Sequence, residues 1–580
     1  MSQTRAPRAS IGVQAPHIRA GIVALLLAAG SALAQSAQPE PNRHWVLLPA
    51  KLADAPEPTR REAILALAAS ANPDQVRRRE LRRETPGLFG TVFDERDLPL
   101  DPARVAAIES TGARVHQRSR WLNAVSVEAS PAQLEAIRAM GLTTEPVRRG
   151  RAVQALEVQD DPWGADGEDG TGEFGARENY GRSAGQIAQI DLARVHDAGF
   201  TGAGVIIGVL DTGFVTTHAA FNNPAKPLRV IASFDFVKND ANVGIQAGDN
   251  SGQHHHGTFI LGTLAAYLPG ELVGTAPDAR YILAKTEDVA GEYPAEEDNY
   301  VAGLEFVESL GADIATSSLG YIDWYTQAQL NGITAVTSRA VNIATSNGLI
   351  CVTAAGNEGN DGDRTTSHLI APADALKVIT VGAVNISGTV TSFSSDGPTA
   401  DGRVKPELLA LGQQTATVSP TSNTGYAAVN GTSLSTPLVA GALACLLQAR
   451  PTWTVDGARN VVFHTAEYFR LNGFTQPIFV KGYGLMGAHL ALVSDCNGNG
   501  ALDTADLASG AGTDVNANGT LDSCECLADF DGSGFPDSDD FSAFVAAFSG
   551  AGPGDADLDR SGFVDSDDFI AFVTVFSRGC

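Results

Sequence analysis

Six consecutive apolar residues, Val205-Ile206-Ile207-Gly208-Val209-Leu210, run directly into Asp211-Thr212-Gly213. A strand-length run with no polar side has to be covered on both faces, as the strands of a parallel sheet between helices are. Its carboxylate then sits at the C-terminal tip, the end where open α/β sheets place ligands. A second apolar strand, Leu349 to Val352, leads into Ala354-Ala355-Gly356-Asn357-Glu358-Gly359. Between the two, His254-His255-His256-Gly257-Thr258 opens a helical pattern through Leu261, Leu264 and Ala265. An α/β domain with its polar residues gathered at the strand tips is expected.

Gly431-Thr432-Ser433-Leu434-Ser435-Thr436-Pro437 places a serine between small residues, ahead of an apolar segment from Leu438 to Leu447. Pro437 is expected in the first turn of that helix, where a missing N–H is tolerated. Ser433 then lies at a helix N-terminus, whose dipole and free N–H groups suit a nucleophile that creates an oxyanion. Asp211, His256 and Ser433 follow one another in the order acid, base, nucleophile, and Asn357 offers an amide as a second oxyanion donor. Three adjacent histidines also raise a zinc site. Consecutive residues of a regular element point in different directions, however, so His254 to His256 cannot all face one ion. His256 is preferred as the base because it directly precedes Gly-Thr and the helix.

These motifs resemble those of subtilisin-type serine proteases, the subtilases. The resemblance covers roughly residues 180–493 and includes a lead-in from Gly199 to Gly204 and the segment Lys405-Pro406-Glu407. It implies a subtilisin-like three-layer α/β fold with a mainly parallel sheet, and a serine endopeptidase acting on protein or peptide substrates. Asp211, His256 and Ser433 would form the triad, with Asn357 in the oxyanion hole. Ser318, Leu319 and Gly320 would lie against the substrate backbone, with Ala354 and Gly356 also at the substrate. Phe259 departs from the pattern, standing where many relatives carry a second histidine, on a side away from the chemistry. The competing reading is an inactive subtilase scaffold that serves as a calcium-dependent surface binding protein.

Arg5, Arg8 and Arg19 precede the apolar stretch Gly21 to Ala29, and Ala32-Leu33-Ala34 follows. This is the pattern of a secretory signal peptide, residues 1–34, cleaved near Ala34. It is too short to span a bilayer, which needs about 20 apolar residues, and no later stretch is that long. A secreted or surface-associated protein with no transmembrane segment is expected. Residues 35–150 carry a strand pattern (Leu122 to Val127) and a helix opened by Ser130-Pro131, with Leu134, Ile137 and Met140 on one face. A strand and helix in this place resemble a subtilase propeptide, which assists folding and blocks the active site. Arg148-Arg149-Gly150-Arg151 offers a cleavage region, and residues 151–179, rich in Gly, Asp and Glu, read as a linker.

The net charge of −27 is concentrated at the far end, where residues 495–580 hold 17 Asp and Glu against two Arg. Such a chain is repelled by nucleic acid and by anionic membranes. Asp529 to Gly550 and Asp557 to Arg578 share 15 of 22 residues, each an acidic loop followed by a helix. Asp529, Asp531, Ser533, Asp537 and Asp540 fall at positions 1, 3, 5, 9 and 12, with Gly534 at 6, the spacing of an EF-hand calcium loop. Asp557, Asp559, Ser561, Asp565 and Asp568 repeat it. Two earlier loops match the register: Asp495, Asn497, Asn499, Asp503 and Asp506; then Asp514, Asn516, Asn518, Asp522 and Glu525. Ca²⁺ is therefore the expected ion of residues 494–580, while the peptidase chemistry needs no cofactor.

Phe541, Phe544, Val545 and Phe548, and their counterparts Phe569, Phe572, Val573 and Phe576, form two apolar faces able to pack together. The pair resembles a small α-helical, dockerin-like module ending in Gly-Cys, as Gly579-Cys580 does. That resemblance implies a cohesin-like or cell-surface partner. Cys351 and Cys445 read as buried small hydrophobes, whereas Cys496, Cys524, Cys526 and Cys580 could pair in an exported protein, in an order the sequence leaves open.

Overall fold

A computed structural model describes residues 43–52, 55–147, 151–152, 157–160, 162, 179–289, 296–321 and 325–513. Beyond them it describes residues 521–524, 530, 538–550, 556–558 and 563–578. The expected signal peptide and most of the four-residue cleavage region, 148–150, lie outside them.

Eight parallel strands make the central sheet. In chain order they are β1 (Ile206–Asp211), β2 (Arg229–Asp235), β3 (Arg280–Lys285), β4 (Ile314–Ser317), β5 (Ile350–Ala354), β6 (Ile379–Val384), β7 (Leu408–Leu411) and β8 (Gly484–Leu485). In space they run β8-β7-β6-β5-β4-β1-β3-β2. Alternate residues serve opposite faces, as the pleat demands. Ile207 and Val209 join one core cluster with the helices His255–Ala265 and Thr432–Ala449. Ile206 and Leu210 join the other, with the helices Glu296–Ser309 and Val336–Ser346. The three-layer architecture follows, and Asp211, Ser317 and Ala354 end neighbouring strands at the same edge. Thr432–Ala449 is long and apolar enough to cross a membrane, yet it is buried in this core.

The N-terminal part is a four-stranded antiparallel sheet, in the order Arg114–Ser119, Ala124–Glu128, Arg43–Leu47, Thr143–Pro146. Val46, Val125 and Val127 pack under Ile108, Leu134 and Ile137. Trp45, Trp121 and Ala124 instead join the cluster of Tyr300, Val301 and Leu304 on the helix Glu296–Ser309. The helix Pro131–Ala139 starts as expected: Gln133 N–H donates to Ser130 Oγ (3.3 Å) and Ser130 N–H to the Gln133 side chain (2.7 Å). Met140 differs, falling at the C-cap and 45% exposed. The strand also begins later than Leu122, because Asn123 turns the chain at φ 50°.

A further helix, Pro73–Arg82, carries almost no apolar face and docks through charge. Arg78 is fully buried, donates to Glu308 O (3.0 Å) and Ala312 O (2.7 Å), and pairs with the Glu308 carboxylate. Arg79 bridges Glu308 (2.8 Å) and Asp97 (2.7 Å). Arg82 pairs with Asp313 (2.6 Å) and donates to Trp453 O (2.9 Å) and Pro451 O (3.1 Å). Each buried guanidinium therefore has a carboxylate partner for its charge, the condition for burying it at all, although Arg78 Nε is left without a hydrogen bond.

At the far end, the first acidic loop is fastened to the body of the sheet domain. Trp453 Nε1–H donates to Asp495 Oδ2 (2.5 Å), Arg450 Nε to Asp495 O (2.7 Å) and Asn460 to Gly500 O (2.9 Å). Cys496 and Cys524 form a disulfide with Cα atoms 5.8 Å apart, while Cys526 and Cys580 lie outside the described residues. Cys351 and Cys445 are free and buried. The helices Ser538–Phe548 and Ser566–Arg578 meet through Phe544 and Phe572, whose rings stack 4.1 Å apart at 6°.

Candidate active site

Asp211 ends β1 with no exposed surface, and its Oδ1 accepts from Thr212 N–H (2.7 Å). The same oxygen lies 2.7 Å from His256 Nδ1. A carboxylate there selects the tautomer protonated at Nδ1 and leaves Nε2 as the basic nitrogen. Gly257 makes the approach possible: a Cβ on it would collide with Gly213 O and stand 3.1 Å from Asp211 Oδ1. The neighbouring histidine faces elsewhere. His254 Nε2 lies 3.4 Å from Asp249, and burial, aided by the Lys285 charge, holds its pKa below the usual histidine value.

Ser433 is the second residue of the helix Thr432–Ala449, fully buried, and this helix packs on the one bearing His256. Pro437 is its sixth residue, one turn deeper than the sequence suggested. A proline at that position cannot donate to the carbonyl four residues back, which is Ser433 O. Ser318 Oγ–H supplies the missing bond (2.8 Å). The side chain of Ser318 thus holds the backbone of Ser433.

Asn357 follows β5, and its Oδ1 accepts from Thr432 N–H (2.9 Å) and Thr432 Oγ–H (2.9 Å). With the carbonyl side engaged, the amide NH₂ is presented on the other. Gly431 shows where: at φ 148°, a Cβ on it would lie 3.5 Å from Asn357 Nδ2 and 3.6 Å from Ser433 N. Two donors from distant parts of the chain therefore border one small space beside Ser433, and only glycine at 431 leaves it open. A pair of N–H donors bordering one space is an arrangement able to bind an anionic oxygen. Thr432, which orients the amide, carried no signal in the sequence beyond lying in a Gly-Thr-Ser turn.

Leu319–Gly320 is a short strand, and its antiparallel partner is the chain's own Arg151–Ala152, in the register Leu319↔Ala152 and Gly320↔Arg151. Six residues on, Glu157–Asp160 pairs antiparallel with Tyr426–Asn430, which ends three residues before Ser433. The segment read as a linker thus carries two strands that flank the serine, and residues 153–156 between them lie outside the described ones. Ala354 ends β5, and Gly356 beside it has φ 120°.

Of the acidic loops, the first is described in full. Asp495 Oδ1 and Oδ2 accept from Asn499 N–H (3.1 Å) and Gly500 N–H (2.8 Å), and both Asn497 and Asn499 side chains reach Asp506 (2.9 and 2.8 Å). Asp503 joins through Cys496 N–H (3.0 Å), and Gly500 turns the loop at φ 84°. The carboxylates of this loop are thus engaged by N–H donors, with the nitrogens of the Asn497 and Asn499 side chains turned toward Asp506. In the fourth loop Asp568 is buried and accepts from Asp565 N–H (2.8 Å), and Asp557 is described. In the third, Asp540 is buried. Asp514, Asn516, Asn518, Glu525, Asp529, Asp531, Ser533, Asp537, Asp559 and Ser561 lie outside the described residues, as does the Asp522 side chain.

Comparison with known proteins places this geometry in context. Residues 202–509 match the family described as the subtilase family, and residues 43–160 match a peptidase S8 propeptide domain of Bacteroidota. Subtilisin E of Bacillus subtilis is 33% identical over 306 residues, covering 53% of this chain and 70% of that protein. Subtilisin of Bacillus pumilus is 32% identical over 306 residues and is covered over 97% of its length. Among solved structures, fervidolysin of Fervidobacterium pennivorans, a keratinolytic enzyme related to subtilisin, superposes with a TM-score of 0.50 at 23% identity. That superposition covers 68% of this chain and 60% of fervidolysin, and it bears on the fold alone.

Proposed function

Because this chain belongs to the subtilase family of serine endopeptidases, with a propeptide ahead of the peptidase domain, we propose that Asp211, His256 and Ser433 are its catalytic triad. Ser433 Oγ attacks the scissile carbonyl carbon as its proton passes to His256 Nε2, and Asp211 steadies the imidazolium. The carbonyl oxygen, now an anion, takes hydrogen bonds from Ser433 N–H and the Asn357 amide. His256 then protonates the departing amine, and water releases the acyl group by the same route in reverse. The observation that carries this reading is the pair of donors converging beside Ser433 at Gly431, together with the 2.7 Å contact of His256 with Asp211.

The protein is proposed to be exported by the signal peptide of residues 1–34 and made as a zymogen, with residues 35–150 as propeptide. Arg151–Ala152 and Glu157–Asp160 would hold its own chain in the cleft. Its C-terminal loops are proposed to bind Ca²⁺, and its paired helices to form a dockerin-like attachment module for a cohesin-like or cell-surface partner. The EF-hand spacing of the four acidic loops and the stacked Phe544 and Phe572 support that part.

A fluorophosphonate probe, which modifies only an activated serine, is expected to label the wild-type protein and not Ser433→Ala. The variant should lose about 10⁶-fold in kcat while staying folded. Labelling or peptide cleavage by Ser433→Ala would overturn the assignment.

A further inference from the structure

Two backbone walls stand beside Ser433 on the side that would receive the acyl half of a substrate. One is Leu319–Gly320, already paired with an extended strand; the other is Ala355-Gly356, leading to Asn357. Each wall presents a glycine, and both glycines face one side chain. A Cβ on Gly320 would overlap Ile370 Cδ1 and lie 2.5 Å from its Cγ1, and a Cβ on Gly356 would lie 3.2 Å from its Cγ2. Ile370 therefore fills the interval between the walls and is 2% exposed.

Its backbone is pinned on all sides. Ile370 N–H donates to Ala355 O (3.3 Å), and Ile370 O accepts from Ala373 N–H (2.8 Å). The next residue, Ala371, exchanges both bonds with Tyr321, at 2.9 and 3.3 Å. A β-branched side chain on so fixed a backbone has little rotamer freedom and does not swing aside.

We propose that Ile370 is the floor of a shortened specificity crevice, so that this enzyme cuts after small residues such as alanine and rejects aromatic and long ones. The inference deepens the peptidase reading and rests on it. A substrate strand on Leu319–Gly320 must bring its scissile carbonyl to the space shared by Asn357 Nδ2 and Ser433 N. The side chain on that residue then enters between Gly320 and Gly356, where the isoleucine already sits. A methyl group fits above it. A phenyl ring needs the volume that Ile370 occupies, and close packing leaves no slack to make room.

The test is a peptide series that differs only in the residue before the scissile bond, Ala, Leu or Phe, assayed with the wild type and with Ile370→Ala. The wild type is expected to favour Ala over Phe at least tenfold in kcat/KM, since a single excess methylene alone is worth about 10–200-fold. Ile370→Ala should move the Phe-to-Ala ratio toward Phe by about tenfold or more. If that variant fails to fold, Ile370→Val should move the ratio the same way by less. A wild type that accepts Phe as readily as Ala, or a ratio that neither variant moves, overturns the proposal. Fluorophosphonate labelling of the same samples separates the two readings. Labelled Ser433 with the wrong preference sinks the crevice alone, whereas unlabelled Ser433 with no cleavage sinks the peptidase reading and this one together.

Discussion

Gly431 shows how much can depend on the absence of one side chain. Its φ of 148° is a backbone state that L-residues rarely adopt, and the Cβ it lacks would touch both proposed oxyanion donors, 3.5 Å from Asn357 Nδ2 and 3.6 Å from Ser433 N. Gly431→Ala is therefore expected to lower kcat by about 10²–10³ with a smaller change in KM, the size of losing one oxyanion donor. Steady-state kinetics on a single peptide checks this, and a variant that raised KM while sparing kcat would assign the space to substrate binding instead. Asp211, His256, Ser433 and Asn357 could be picked out in the sequence because each sits at the junction of an apolar run and a small-residue turn, a local pattern. Thr432 and Ile370 could not. Thr432 acts on Asn357, 75 positions earlier, and Ile370 meets Gly320 from 50 positions away. Pro437 lies one turn deeper than its sequence context predicts for the same reason: its tolerance depends on Ser318, across the sheet domain.

Elements long enough to show a period were legible, and very short ones were not. The buried runs of β1 and β5 and the phenylalanine-bearing helices announced themselves, since four or more residues repeat the same demand. The strands Arg151–Ala152 and Glu157–Asp160 have two and four residues, and nothing in their composition marks them. They exist because Leu319–Gly320 and Tyr426–Asn430 offer unpaired edges. Their positions bracket the bond a self-processing chain would cut. N-terminal sequencing of the processed protein is expected to find a first residue after Ala152 and no later than Glu157, and Ser433→Ala should remain uncut. A mature terminus within Arg148–Arg151 would mean that another protease acts first. The C-terminal helices carry a second prediction. Loops rich in carboxylates repel themselves without a cation, so the proposed Ca²⁺ binding would add to folding stability. Removing Ca²⁺ from the full-length protein should lower the melting transition of this part. A chelator without effect on the melt would leave the loops merely acidic.

At the scale of the whole molecule, the buried arginines of Pro73–Arg82 join the N-terminal part to the sheet domain independently of the cleft. Removing one partner of a buried pair typically costs about 3–5 kcal/mol. Arg78→Ala with Arg79→Ala should thus let the N-terminal part separate on gel filtration after cleavage, whereas the wild-type pieces should co-elute. Acidity provides the converse check. Burial pushes the Glu308 carboxyl up, but Arg78 and Arg79 outweigh it and bring its pKa down to about 2. A depressed carboxyl stabilises the docked state fully above its free value of about 4.3, and that contribution is lost as pH falls toward 2. Burial raises Asp298 and Glu305, with Arg43 and Arg120 only partly offsetting it, so their contribution has the opposite sign and favours docking as they take up protons. Co-elution should therefore persist from pH 7 to 5 and fail only below about pH 4, and release at pH 6 would contradict it. The strands flanking Ser433 have one more consequence, a matter of reaction order. A tethered strand meets its cleft at an effective concentration set by the tether, whatever the solution holds. The first cut should follow first-order kinetics with a half-time indifferent to dilution, and only the release and destruction of the severed piece should quicken as more enzyme accumulates.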